Sequence, residues 1–158
     1  MKDSIKIGLG FGLTSGVITT LGLIVGLFSG THSKLVVIGG ILIIAIADSF
    51  SDAFGVHVSQ ESERRNTEKS VWESTVWTFI SKFVLALTFL VPILLFDLNT
   101  AVIVSIIWGL SILIVYNYMV AMYRRIKPLR IILEHILIAV FVIVITYFVG
   151  KLVNLIFV

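Results

Sequence analysis

Five apolar runs, Ile5–Phe28, Leu35–Val58, Val76–Phe96, Ala101–Met122 and Leu129–Phe157, dominate this chain. Each meets or exceeds the roughly 20 residues with which an α-helix crosses the hydrocarbon of a bilayer. Inside that hydrocarbon every backbone N–H and C=O must be bonded within the segment itself, so a long single run has one regular solution, the helix. The sequence therefore predicts an all-α membrane protein of five transmembrane helices. Residues 1–158 form a single transmembrane domain with no room for a soluble catalytic one. Only 13% of the residues are charged and the mean hydropathy is +1.11, against about 25% charged in soluble domains. The absence of Cys excludes disulfides, Cys-ligated zinc, iron–sulfur clusters and thiol nucleophiles. The first run is too long for the apolar core of a signal peptide and lacks a small-x-small cleavage site, so it reads as a retained helix.

Orientation follows from counting basic residues. Lys2, Lys6, Arg64, Arg65, Lys69, Arg124, Arg125, Lys127 and Arg130 fall on one side of the five spans, nine of the twelve Lys and Arg. The other side has Lys34 and Lys151. This asymmetry predicts a cytoplasmic N-terminus and an outside C-terminus. The basic pI then reflects orientation rather than nucleic-acid binding. The short connection 59–72 is cytoplasmic in this reading, and its alternating Glu61, Glu63, Arg64, Arg65, Glu68 and Lys69 suit a solvated helix end or a weak cation-attracting vestibule. Lys82, the twelfth basic residue, lies in the third span. With Trp72 and Trp77 at the interface, it is expected about one turn deep, with its ammonium snorkelling outward.

Two features in the first two spans carry most of the chemistry. Gly8, Gly12, Ser15, Thr19, Gly22 and Gly26 recur at spacings of four and three and make one helix stripe. Glycines there allow close helix packing, while Ser15 and Thr19 are candidates for a polar pathway. In the second span Asp48 lies thirteen residues from the outer end and Asp52 one turn nearer the cytoplasm. An acid at that depth costs roughly 2.5–3.5 kcal/mol on insertion scales, which marks a functional site. At about 100° per residue, Asp48, Asp52, Gly55, Ser59 and Ser62 share one face, a polar stripe from mid-membrane to the cytoplasmic surface. The competing account is a buried, hydrogen-bonded acid pair.

Other polar residues are read more plainly. His57 lies five residues from Asp52 and nine from Asp48, on the opposite side of the helix, so it is not a ligand with them in the same subunit. Glu134 and His135 stand one turn into the fifth span; Glu134 is expected either to pair with Lys82 or to accept a metal ion or proton at the cytoplasmic side. Asn117 is expected to bond between helices. No nucleophile elbow, His-Glu-x-x-His or Walker loop is present. An intramembrane aspartyl protease would draw its acids from two helices, so the chain does not read as an enzyme.

These residues resemble the vacuolar iron transporter family of divalent-cation transporters, along essentially all five spans. Gly12-Leu13-Thr14-Ser15-Gly16-Val17-Ile18-Thr19-Thr20 is similar to that family's Asp-Gly-x-x-Thr-Thr signature. Ser51-Asp52-Ala53-Phe54-Gly55-Val56-His57-Val58-Ser59 is similar to its Ser-Met-x-x-Gly-Glu-Tyr-x-Ser segment. Phe79, Phe83, Val91 and Pro92, and the stretch from Pro128-Leu129-Arg130 to Ile145-Thr146-Tyr147-Phe148-Val149-Gly150-Lys151, resemble the later spans. The resemblance implies a five-helix protomer, a homodimer with its metal pathway at the interface, and export of ferrous iron or manganese from the cytoplasm in exchange for protons. The family's first-span acid is Ser15 here, its Met is Asp52, its Glu after the glycine is Val56, and its cytoplasmic metal-binding helices are reduced to about ten residues.

The expected metal ligands are therefore Asp48 and Asp52, with Ser15, Thr19, Ser59 and Glu134 as pathway or secondary residues and Gly8, Gly12, Gly22 and Gly26 for packing. Carboxylates and hydroxyls favour harder ions than a thioether does. In a two-fold dimer each acid is presented twice. The function expected is proton-coupled export of a divalent cation, iron or manganese, with no cofactor besides the transported ion. A non-transporting scaffold or regulator with a degenerate transporter fold, and a passive cation channel, are the alternatives. The absence of a targeting signal makes a prokaryotic plasma membrane the expected location.

Overall fold

The computed structural model describes residues 2–157. Its helices are α1 (Asp3–Thr31), α2 (Lys34–Glu61), α3 (Glu68–Thr88), α4 (Leu90–Leu95), α5 (Leu98–Arg124) and α6 (Pro128–Phe157). No strand occurs among the described residues. α3 and α4 continue one another, so five helical segments of 27 to 30 residues are long and apolar enough to cross a membrane. The chain is a multi-pass membrane protein. Its connections are brief, and local chemistry closes them. Ser33, Thr67 and Asp97 accept the backbone N–H groups of Val36, Ser70 and Thr100 and so cap α2, α3 and α5. His32 and Arg125, in left-handed conformation at φ 51° and 54°, end α1 and α5.

The third span differs from the sequence expectation. It starts at Glu68, eight residues before Val76, and the connection shrinks from 59–72 to residues 62–67. The reason is that its first turns are polar yet self-sufficient. Ser74 Oγ donates to Val71 O at 2.8 Å, Thr75 Oγ1 to Val71 O at 2.8 Å and Thr78 Oγ1 to Ser74 O at 2.8 Å. All three side chains are buried. Hydroxyls satisfied by their own helix can be buried without an outside partner, and an apolar window does not register such a segment as part of a span.

The span breaks at Phe89 because Pro92 lacks the N–H that would bond the Thr88 carbonyl, and its ring crowds that carbonyl. The Thr88 hydroxyl accepts the Trp108 indole N–H at 3.1 Å, tying the break to α5.

α1 is the central helix, packed on α3, α6, α2 and α5. Its glycine stripe serves two neighbours in succession. A Cβ on Gly8 would come within 2.5 Å of the Ser74 carbonyl oxygen, whereas one on Gly26 would meet Thr146 of α6 at 3.5 Å. α3 therefore lies against the first half of the stripe and α6 against the second. Val17, Leu21, Ile24, Val37, Ile41, Phe89, Ile93 and Leu113 fill the core.

Both ends are pinned by polar contacts. At the end holding the N-terminus, Lys2 Nζ bonds Glu73 Oε1 at 2.6 Å and Lys6 Nζ bonds Tyr123 Oη at 2.6 Å. At the other end Lys34 Nζ donates to the carbonyls of Phe96 at 2.9 Å and Leu94 at 3.3 Å, and Asn154 Nδ2 donates to Gly30 O at 2.9 Å. The alternation of spans gathers residues 62–67 and 125–127 at the N-terminal end, hereafter the basic end.

Candidate ion site between three helices

The position of each functional side chain follows from helix arithmetic. Counted from the basic end, Ser15 is twelve residues into α1, Asp52 and Asp48 are nine and thirteen residues into α2, and Lys82 is fourteen residues into α3. At 1.5 Å per residue these fall at about 14–21 Å along their axes. Lysine side chains lean toward their helix N-terminus, which brings the Lys82 ammonium to the level of the acids. Lys82 is buried in the bundle with its ammonium held by both acids, so it does not snorkel outward, which overturns the expectation of a shallow residue. The earlier start of α3 is the cause.

The stem of Lys82 crosses α1 where Gly16 leaves room. A Cβ on Gly16 would stand 3.2 Å from Lys82 Cγ, whereas Gly12, one turn earlier, makes room for the α3 backbone, where a Cβ would stand 2.7 Å from Thr78 O and 3.2 Å from the Lys82 backbone nitrogen. Beyond them Lys82 Nζ is 2.5 Å from Asp48 Oδ2, pairs with Asp52 Oδ2 and donates to Ser15 Oγ at 3.0 Å. Ser15 Oγ in turn donates to Asp52 Oδ2 at 2.6 Å. The two acids are held differently. Asp52 accepts directed hydrogen bonds from Lys82 and Ser15; Asp48 Oδ2 makes a close ion pair but no aligned hydrogen bond. Lys82 is 1% exposed, while the side chains of Asp48 and Asp52 retain 27% and 20% of their surface. With all three groups ionised, the cluster carries a formal charge of −1.

The acids border an unusual stretch of α2. Ala47, Ser51, Gly55 and Ser59 are all exposed and small or polar, and nothing lies within 4 Å of a Cβ built on Gly55. The adjoining exposed face carries Ile43, Phe50 and Phe54. A small, polar face beside two carboxylates suits protein or water as a neighbour far better than lipid tails.

The remaining predicted residues lie apart from this cluster. Thr19 Oγ1 donates back to Ser15 O at 2.9 Å and so does not aim at the acids. Glu134 is exposed on α6 and forms no ion pair among the described residues; the expected Glu134–Lys82 pair is replaced by Lys82 with Asp48 and Asp52. Glu134 and His135 instead line a cavity of about 300 Å³ with Thr14, Tyr116, Asn117 and Arg124. Asn117 bonds within its own helix, Nδ2 to Leu113 O at 2.8 Å, and not between helices. His57 Nδ1 lies 3.0 Å from Thr75 Oγ1. Because that hydroxyl spends its hydrogen on Val71 O, the imidazole is the donor. His57 also meets the edge of Trp72, away from the acids.

No group of three or more His, Cys, Asp or Glu side chains suited to a metal ion occurs among the described residues. Lys82 is the member that sequence reasoning misplaced. Its signal was Thr67 as a helix start, which moves Lys82 two turns deeper and level with the acids.

Comparison with known proteins adds one finding to this geometry. The family model of the VIT family matches residues 64–151, from the connection before α3 into α6. Lys82 and Glu134 lie within the matched stretch; Ser15, Thr19, Asp48 and Asp52 precede it, so the match is narrower than the five-span resemblance read from the sequence. No curated protein matches the chain.

Proposed function

The chain belongs to the VIT family, whose match covers more than half of its residues, and from that membership in a family of membrane metal-ion transporters we propose that it is a proton-coupled exporter of divalent cations. The observation that carries this reading is the convergence of Asp48, Asp52 and Ser15 on one cation, the Lys82 ammonium, inside the helical bundle. Oxygen donors that hold an ammonium at that depth offer the charge and lone pairs a divalent metal ion requires. Carboxylate and hydroxyl oxygens favour manganese among the family's cargoes and also accept ferrous iron. Carboxylates must be free of protons to coordinate metal, which links ion binding to proton release.

Ser59 extends the polar face of α2 toward the basic end, and Thr19 and Glu134 serve as secondary pathway residues in this reading. A homodimer belongs to it as well, with the exposed face Ala47, Ser51, Gly55 and Ser59 turned to the second copy. The basic end is cytoplasmic by the positive-inside rule, and the membrane is a prokaryotic plasma membrane. A second reading, a non-transporting scaffold or regulator, draws support from Lys82, which already pairs with both acids and offsets one of their two charges, and from the lack of a three-ligand group among the described residues.

Reconstitution decides between them. Liposomes bearing a proton gradient would be assayed for manganese, ferrous iron and calcium uptake beside an internal pH reporter. The expected result is metal flux against proton flux, lost in Asp48→Asn/Asp52→Asn. No flux of any of these ions through folded wild-type protein would overturn the transporter reading in favour of the scaffold. Metal flux without proton movement would identify a channel.

A further inference from the structure

Resting on the transporter reading, we propose that Lys82 is a tethered competitor for the cargo site and the residue that restricts it to divalent ions. Its ammonium occupies the position between Asp48 and Asp52 that a transported cation would take. The placement is built by the helices around it. Gly12 lets the α3 backbone approach α1, Gly16 clears α1 for the stem, Ser15 receives one N–H, and the side chain is closed off from the surface at 1% exposure.

Charge arithmetic gives the consequence. The two acids with Lys82 sum to −1. A monovalent ion that displaced the ammonium would exchange one positive charge for another and would leave an ammonium to be housed elsewhere in a low-dielectric interior. It would also forfeit the advantage of an intramolecular partner, which binds without losing free translation. A divalent ion brings one more charge to the carboxylates than the ammonium does. Only the divalent ion is repaid for the displacement, so sodium and potassium are refused by a resident competitor rather than by the width of a pore.

The same competition weakens apparent affinity for the cargo itself. A ligand that binds only the fraction of molecules whose acids are released has its dissociation constant divided by that fraction. Removing the ammonium therefore both tightens divalent binding and admits monovalent ions.

The test compares wild type, Lys82→Met, Lys82→Arg and the charge-matched Lys82→Met/Asp48→Asn, each as full chain. Thermal stabilisation by manganese and by sodium or lithium is titrated in detergent, and fluxes of the same ions are followed in liposomes. In Lys82→Met the manganese midpoint should fall by about tenfold or more, as expected where the competent fraction is about a tenth, and lithium and sodium should now stabilise and cross. Lys82→Arg, which keeps a fixed positive charge, should still refuse monovalent ions. The double variant restores the site charge of −1, which protects folding if the single variant fails, and should bind sodium or lithium. If Lys82→Met or the double variant folds and still excludes monovalent ions, with a manganese midpoint equal to that of wild type for Lys82→Met, the proposal is overturned while transport stands. If manganese neither stabilises nor crosses in any form, the transporter reading falls and takes this one with it.

Discussion

Ser15 of α1 and Asp52 of α2 are joined by a hydrogen bond of 2.6 Å in which the serine hydroxyl donates to the carboxylate. The bond crosses a helix interface within the span. The same hydroxyl oxygen accepts from Lys82 at 3.0 Å, so one small side chain links all three helices of the cluster.

Ser15→Ala removes that link without adding bulk. A hydrogen bond to a charged group contributes about 1.5–3 kcal/mol, and the partly exposed Asp52 places the loss toward the lower value. The expected outcome is a lower unfolding midpoint in detergent for Ser15→Ala, with Ser15→Thr closer to wild type. Equal stability of Ser15→Ala and wild type would show that Asp52 does not depend on this donor.

Asp48 and Asp52 should respond unequally to removal of charge. Asp52 accepts two directed bonds whereas Asp48 accepts none, so Asp52→Asn should destabilise more than Asp48→Asn. Breaking a buried pair costs about 3–5 kcal/mol, and the residual exposure of both acids points to the low end of that range for Asp52→Asn. Chemical denaturation of the two variants checks the order, and a reversed order would contradict the asymmetry of the pair.

Gly8 on α1 and Gly55 on α2 differ in what surrounds them. Gly8→Leu drives a side chain into the α3 backbone and should cost about 1–3 kcal/mol or more, as overpacking does. Gly55→Leu meets open space within the protomer and should leave protomer stability within about 0.5 kcal/mol. If α2 forms the homodimer face, Gly55→Leu should instead shift the mass measured by light scattering in detergent toward the protomer. An unchanged dimer would remove this face from the interface.

Acid sensitivity at the connection before α5 follows from its cap. Asp97 accepts the Thr100 N–H at 3.1 Å, and that bond first of all holds its carboxyl below the ordinary range for aspartate. A lowered folded-state value means that the cap stabilises above the ordinary aspartate range and that this contribution is lost as pH falls through the folded value. Asp97→Asn keeps a capping side chain, so it should flatten the acid limb of the melting profile, while Asp97→Ala should lower the midpoint at neutral pH. Parallel acid limbs for wild type and Asp97→Asn would rule the cap out as their source.

Five spans were legible in the sequence because length and hydropathy alone demand them, and Asp48 and Asp52 stood out because charge is costly there. The partner of those acids was not legible from the same signals. Ser70, Ser74, Thr75 and Thr78 lower the hydropathy at the start of α3, and only their bonds to carbonyls of the same helix show why they belong to it. Misplacing that start moved Lys82 from mid-span to near the surface and paired it with Glu134. The glycines of α1 announced close packing, but periodicity does not say that α3 takes one half of the stripe and α6 the other. Asn117 was misjudged for a related reason: a buried amide on a helix can bond the carbonyl one turn back and need no second helix.

The helices run unbroken through the level of the site, the break at Phe89 lying beyond it. Ser15, Asp48, Asp52 and Lys82 each lie more than a turn from the nearest helix end, and the field of a helix terminus fades within its first or last turn. Membrane sites built on half-helices borrow partial charges from the peptide backbone, which no substitution can delete. Here the electrostatics are written in four side chains on continuous helices, so the charge of the cluster, and with it the ionic preference proposed above, is open to change one residue at a time.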